Sequence, residues 1–258
     1  SVYKKNFNIV SILIEYCKIN YPDKLNQFVN AENNKGICPI HYASFKGNID
    51  ILKLLIENGA DIEKKTQKNL NVIHYCAQGN NPNSLMYFYL KFHKDKNTIK
   101  RTKYKLILEK DGAGSTSLHW AVYSAAEDFI LYLLHLDIFD NEQEKLNFIN
   151  LPDKNGFTAL HLCITSKSHR IALKLLQNGA NINLRDANGR TPLELAIEKG
   201  EDEIRELLEE SKKCQLLRLK VPLRQIKKSY KNIIAIFVFQ FFCSMILFFS
   251  TLPIVFYK

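Results

Sequence analysis

Four histidines recur along this chain, at His41, His74, His119 and His161, with Glu194 in the corresponding fifth place. The intervals between them are 33, 45, 42 and 33 residues. Imidazoles and a carboxylate are side chains that can ligate a metal or move protons. The spacing argues against both. Equivalent positions in successive structural repeats stand about 10 Å apart, the packing distance of helices, which is too far for shared ligation. The other reading is structural: each histidine ties adjacent repeat turns by hydrogen bonds. The six cysteines, Cys17, Cys38, Cys76, Cys163, Cys214 and Cys243, include no Cys-x-x-Cys pair, which argues against a structural zinc site. Cys38, Cys76 and Cys163 fall inside the repeated segments and read as small apolar packing residues. No Ser/His/Asp arrangement, Walker-type loop or paired-carboxylate motif is present, so no catalytic residue is assigned.

The elements that must hold these histidines follow from the pattern around them. GICPIHYAS at 36–44 recurs as NLNVIHYCA at 69–77, GSTSLHWAV at 114–122, GFTALHLCI at 156–164 and GRTPLELAI at 189–197. Two intervals equal 33 residues; the other two carry 12 and 9 extra residues, expected to form loops. Each copy continues into a second apolar stretch, as in IDILKLL at 49–55 before NGADI at 58–62. Residues 171–176 precede NGANI at 178–182 in the same way. Apolar residues at i, i+3 and i+4 predict a helix, and the glycine suits a left-handed position just past its end. A short helix cannot bury its apolar stripe alone, so each pair must stack on its neighbours.

These segments resemble the ankyrin repeat: a glycine turn, Thr-Pro-Leu-His opening a first helix, a second helix, then Asn-Gly-Ala-Asp. The resemblance implies an all-α fold, an ankyrin-repeat solenoid of five repeats over 31–210. Residues 1–30 read as the back half of a further, partial repeat. Their tail KLNQFVN at 24–30 echoes KLNFIN at 145–150, again just before a repeat start. The last copy carries Glu194, Glu198, Glu201, Asp202, Glu203, Glu206, Glu209 and Glu210, an acidic outer surface suited to a cap.

The resemblance also indicates where a partner sits. In ankyrin repeats the residues flanking the turn glycine and those ending the first helix face a ligand groove. Here these are Lys35, Ile37, Phe45, Lys46, Lys68, Leu70, Gln78, Ser115, Tyr123, Phe157 and Thr165. One position past the histidine come Tyr42, Tyr75 and Trp120, an aromatic row near that groove. Tyr42, Phe45, Lys46, Tyr75, Gln78, Trp120, Tyr123 and Phe157 are therefore the candidate strip for gripping short unstructured peptides of a protein partner. The competing reading has the three rings of the row packing between repeats.

Composition bounds the remainder. The chain has 258 residues, with 36 Lys and Arg against 26 Asp and Glu, a net charge of +10. At 46% hydrophobic and 24% charged it is not a wholly disordered chain, and 10 Gly with 7 Pro exclude collagen-like classes. Widely spaced single cysteines point to a reducing compartment. Residues 211–258 hold nine basic residues and no acidic one, so residues 1–210 carry the other 27 basic and all 26 acidic residues, a net of +1. The insertion at 91–105 is basic and reads as solvated surface. No helix-turn-helix, RRM or zinc-finger pattern accompanies its charges, so nucleic acid is not an expected partner.

Residues 233–257 read IIAIFVFQFFCSMILFFSTLPIVFY, 25 positions without a charge. About 20 apolar residues cross a bilayer core. A transmembrane helix is expected over 232–257, preceded by a basic cytosolic linker at 211–231. In that linker Arg218, Lys220, Arg224, Lys227, Lys228 and Lys231 would lie at the membrane surface and attract anionic headgroups at about 1 kcal/mol each. The positive-inside rule places the repeats in the cytosol. The chain opens at Ser1 without an initiator Met and stops after an apolar run, which reads as a fragment cut at both ends.

Cytosolic ankyrin repeats, a basic linker, a membrane helix and the segment SLHWAV at 117–122 together resemble the ankyrin-containing Asp-His-His-Cys protein S-acyltransferases, or palmitoyltransferases. The stretch CQLLRLKVPLR at 214–224 is similar to the linker before their first membrane helix. The resemblance implies an integral endomembrane protein, the Golgi among the candidates, whose repeats recruit substrates. It also implies that zinc and acyl-CoA belong to a catalytic domain. No Asp-His-His-Cys motif occurs in these residues, so no catalytic, zinc-binding or cofactor-binding residue is carried over. Two other classes stay open: a membrane-anchored ankyrin scaffold without catalysis, and the N-terminal part of an ankyrin-bearing cation channel.

Overall fold

Short amphipathic segments, each opened by a capping residue and closed by a turn, give the chain its helices in pairs. The computed structural model describes residues 2–93 and 104–216. In chain order the helices are α1 (Val2–Asn20), α2 (Leu25–Val29), α3 (Pro39–Lys46), α4 (Ile49–Glu57), α5 (Val72–Gln78), α6 (Pro82–His93) and α7 (Lys105–Leu108). There follow α8 (Ser117–Tyr123), α9 (Glu127–His135), α10 (Glu142–Ile149), α11 (Ala159–Thr165), α12 (His169–Gln177), α13 (Pro192–Lys199) and α14 (Asp202–Leu216). A 3-10 turn, Pro22–Lys24, joins α1 to α2. Among the described residues there is no strand, only an isolated backbone bridge between Lys110 and Thr116.

Two rows of helices result. The first helices α3, α5, α8, α11 and α13 pack each on the next. The second helices α4, α6, α9 and α12 form a parallel row, and α1 packs on α4 at its start. The inner faces of both rows share one apolar core, from Ile14 and Ile40 through Ile73, Leu118 and Leu160 to Leu195 and Leu208. Each first helix opens the same way. Asn71, Thr158 and Thr191 accept a backbone N–H from the third residue of their helix through a side-chain oxygen, and that third residue is His or Glu.

The nine extra residues before the fourth repeat do not form a loop. They build α10, for three local reasons: Asn141 caps it, Glu142 and Glu144 lie in its first turn, and Phe148 with Ile149 enter the core. The insertion at 91–105 falls largely outside the described residues. So do the basic linker from residue 217 onward and the uncharged run at 233–257. Residues 1–212 form one compact unit, and a second begins at Lys213. Among the described residues no helix is long and apolar enough to cross a membrane.

Candidate functional site

Each histidine of the row occupies the third position of a first helix and is buried. Its Nδ1 accepts the backbone N–H of the capping residue: Cys38 for His41 at 3.1 Å, Asn71 for His74 at 3.2 Å, Thr116 for His119 at 3.2 Å, Thr158 for His161 at 3.3 Å. Its Nε2 faces a backbone carbonyl of the next repeat: Lys64 at 3.0 Å, Ser115 at 3.2 Å, Phe157 at 3.1 Å and Arg190 at 3.1 Å respectively. An amide can only donate and a carbonyl can only accept. For His41, His119 and His161 this puts the proton on Nε2, while His74 Nδ1 also lies 2.7 Å from the Asn71 Oδ1; both nitrogens of every ring are occupied. Glu194 performs the first half of the same task, accepting the Thr191 N–H at 2.7 Å.

Burial pushes all four imidazoles below their ordinary value, and His74 to about 4. Buried, bonded at both ring nitrogens and separated by a repeat, these side chains tie the turns of successive repeats together. Cys17, Cys38, Cys76 and Cys163 are free and buried, and burial raises the thiols of Cys38, Cys76 and Cys163, which keeps them protonated. Among the described residues no group of three His, Cys, Asp or Glu side chains is placed to hold a metal ion.

The turns between repeats carry a second ladder. One side chain opens each turn by accepting amides two and four residues on: Asn33 from Lys35 and Ile37, Asp111 from Ala113 and Ser115, Asp153 from Asn155 and Phe157, Asp186 from Asn188 and Arg190. Thr66 holds Leu70 in the equivalent place. Successive turns are joined by backbone bonds, Gln67 N to Lys35 O at 3.2 Å, Gly112 N to Lys68 O at 2.8 Å, Lys154 N to Ala113 O at 3.0 Å and Ala187 N to Asn155 O at 2.9 Å. Gly156 shows why the turn demands glycine. Its φ is +75°, and a Cβ there would lie 2.6 Å from the Ala187 nitrogen.

On this frame the candidate groove residues divide into two clusters. In the first, Tyr42 is 60% exposed, its ring centroid is 6.5 Å from Phe45, and the Lys46 ammonium lies 5.5 Å from the Tyr42 ring and 5.2 Å from the Phe45 ring. Beside Tyr42 opens a hollow of about 420 Å³ lined by Glu32, Asn33, Ile37, Cys38 and Pro39. In the second cluster the half-buried Trp120 meets the 71% exposed Tyr123 edge to face, centroids 5.9 Å apart. The Trp120 indole N–H donates to Asp111 Oδ2 at 2.9 Å.

Tyr75, expected in the aromatic row, is only 9% exposed and lies against His41, ring centroids 5.1 Å apart. It fills the joint between two first helices and breaks the row in two. Phe157 likewise lies along His161, nearly parallel at 5.8 Å and half-buried, and Gln78 is half-buried at the end of α5. Arg218, Lys220, Arg224, Lys227, Lys228 and Lys231 lie outside the described residues.

Sequence reasoning missed two polar devices. Asn30 donates to Gly59 O at 2.9 Å and accepts the Asp61 N–H at 2.8 Å. Asn150 donates to Gly179 O at 3.2 Å and accepts the Asn181 N–H at 2.7 Å. Both clasp the Asn-Gly-Ala turn of the repeat that follows, and the signal was the shared Lys-Leu-Asn stretch ending in asparagine. The other is Asp111, whose place at the head of a turn ending in glycine was legible.

Comparison with known proteins fits this geometry. The family model for ankyrin repeats (3 copies) matches residues 1–66 and 140–217. A putative palmitoyltransferase ZDHHC13 of Danio rerio is 26% identical over 155 residues, 59% of this chain and 21% of that protein. The putative ankyrin repeat protein FPV230 of Fowlpox virus is 28% identical over 198 residues, 76% of this chain and 89% of that protein. The NF-kappa-B inhibitor zeta of Bos taurus is 27% identical over 118 residues, 46% of this chain and 16% of that protein. The chain thus spans about a fifth of the first of these relatives and nearly all of the second. With paired helices in two rows, histidine-capped first helices and a family model covering more than half of its residues, the chain belongs to the ankyrin-repeat proteins.

Proposed function

We propose that this chain is the cytosolic substrate-recruitment module and first membrane segment of a membrane-bound protein-cysteine S-palmitoyltransferase. The observation that carries the reading is an order along the chain: after the polar cap α14 come only basic charges and then 25 uncharged residues. The similarity to the putative palmitoyltransferase ZDHHC13 over 155 residues supports it.

In this reading the solenoid does no chemistry. Its histidines and turn carboxylates are consumed in backbone bonds, so the rows of helices act as a rigid support. That support holds the Tyr42/Phe45/Lys46 and Trp120/Tyr123 clusters ready for an extended segment of a partner. Rings held in place lose little freedom on binding, which favours affinity. The basic linker holds the unit close to anionic headgroups, so a captured substrate cysteine is kept near the membrane. The described residues do not fit zinc, and acyl transfer is assigned to no residue here.

Sequencing the transcript past the codon for Lys258 tests the assignment. The expected result is a second membrane helix followed by a cysteine-rich segment with Asp-His-His-Cys. Six helices with a pore loop, or a stop codon within a few residues, contradicts it. A second reading is a non-catalytic ankyrin scaffold, favoured by the match over 89% of the fowlpox protein's own length.

A further inference from the structure

The Trp120/Tyr123 cluster lies mid-solenoid. First helices α5 and α11 pack on either side of α8, so the exposure of these rings does not depend on where the chain begins or ends. Three turns run past the start of α8. The Lys68 carbonyl accepts the Gly112 N–H at 2.8 Å, and the Ala113 carbonyl accepts the Lys154 N–H at 3.0 Å. Backbones bonded in this way stand about 4.8 Å apart, so Lys68 and Lys154 flank the middle turn at about 10 Å from one another. At the tip of that turn, residues 112–114, only the Ala113 methyl projects. Gly112 keeps the gap open, because a Cβ there would lie 3.0 Å from the backbone nitrogen-bonding oxygen of Lys68.

Lys68 and Lys154 are exposed, and among the described residues neither forms an ion pair. The carboxylates of the same stretch are already engaged. Asp111 accepts the Ala113 and Ser115 amides and the Trp120 indole N–H. Asp153 accepts the Asn155 and Phe157 amides. Glu109 is held by the Lys65 ammonium at 3.0 Å and by the Asn71 amide at 3.1 Å. Two unpaired ammoniums therefore border a gap at the edge of an aromatic surface.

We propose that the segment recruited on Trp120 and Tyr123 is acidic: an extended peptide with two Asp or Glu side chains over the 111–115 turn and an apolar anchor against the rings. This deepens the recruitment role assigned to those rings and rests on it. Charge complementarity selects the occupant. In an extended chain, side chains two positions apart project to the same side about 7 Å from one another. Lysine ammoniums on flexible four-carbon stems can close on that spacing from either flank. A peptide is favoured over an anionic membrane because the lysines border rings suited to side-chain anchors.

Selection of short random peptides displayed on phage against the full chain in neutral detergent tests this. The enriched peptides should be net negative, with acidic residues two positions apart beside an apolar one. Lys68→Glu/Lys154→Glu should weaken a synthetic enriched peptide by about tenfold or more at about 0.05 M salt and far less at about 0.5 M. Both side chains are exposed, so circular dichroism and the thermal midpoint should stay unchanged. A peptide with its acidic residues replaced by Lys should bind the reversed variant better than it binds wild type. Neutral or basic enriched peptides overturn the proposal. So does an affinity that the lysine variant leaves intact while Trp120→Ala/Tyr123→Ala abolishes it, an outcome that leaves the recruitment surface standing. No enrichment, or peptides indifferent to both variants, overturns both. A variant that keeps the peptide but floats less with phosphatidylserine vesicles than wild type assigns the lysines to headgroups and likewise overturns the proposal.

Discussion

The indole of Trp120 donates to one oxygen of Asp111 at 2.9 Å while the other oxygen of that carboxylate receives the Ala113 and Ser115 amides at 2.8 Å. One buried side chain therefore shapes a turn and aims a candidate binding ring. Asp111→Asn should separate the two roles. Its carbonyl oxygen still accepts the turn amides, but its NH2 meets the indole N–H, donor against donor. The expected outcome is a loss of about fivefold or more in partner affinity with a nearly unchanged urea midpoint. Asp111→Ala should lower stability as well, by about 1–3 kcal/mol, because buried amides lose their acceptor. Unaltered binding in the Asn variant removes Trp120 from the binding surface.

His119 joins Thr116 to Phe157 across two repeats, and its ring is buried. His119→Ala should destabilise the solenoid by about 2–4 kcal/mol, through a cavity and two orphaned backbone groups. Tyr123→Ala, at an exposed ring on the same helix, should stay within about 0.5 kcal/mol. Urea denaturation of the pair distinguishes framework from surface. Equal effects would contradict a structural role for His119 and a surface role for Tyr123.

Acid should loosen the fold through the same row. Burial lowers the folded pKa of His41, His74, His119 and His161 below the unfolded value, so the unfolded chain binds protons that the native one refuses. Stability is then complete above pH 6.5 and falls as pH drops toward 4, with His74, lowered to about 4, contributing on the order of 3 kcal/mol across that window. Chemical denaturation between pH 8 and 4 measures the slope. His74→Gln should flatten it, and a slope unaffected by that change would refute the assignment.

What was legible in the sequence depends on the kind of interaction that sets each feature. Apolar periodicity and the glycine turns are local, so the paired helices and the histidine slot were legible. Whether a ring in that slot's neighbour ends up in solvent is decided by the adjacent repeat. Tyr42 and Tyr75 hold identical places, yet Tyr75 lies against His41 while Tyr42 has no preceding first helix among the described residues to cover it. The residues before the fourth repeat were expected to be a loop because they exceed the 33-residue interval by nine. Capping by Asn141 and burial of Phe148 and Ile149 nevertheless make them α10.

Asn30 and Asn150 illustrate a relation that only coordinates reveal, since each clasps a turn some 30 residues on. Asn150→Asp retains the acceptor for the Asn181 N–H but loses the donor to Gly179 O, and should cost about 1–2 kcal/mol. Asn30→Asp should cost a similar amount at its own turn. The two sites are far apart along the solenoid, so the double variant should equal the sum of the singles within about 0.5 kcal/mol. Strong non-additivity would show that the ends are coupled beyond nearest neighbours.

The central claim is that the solenoid recruits substrates for acyl transfer and takes no part in the chemistry. It is tested most directly by labelling cells that make the full-length protein with an alkyne palmitate analogue. The acylation of the protein itself is then compared with that of its substrates, for wild type and for Trp120→Ala/Tyr123→Ala. The account predicts that the double variant keeps its own acyl label while its substrates lose theirs by about tenfold. Labelling of both unchanged, or no acylation by the wild-type protein, would contradict it.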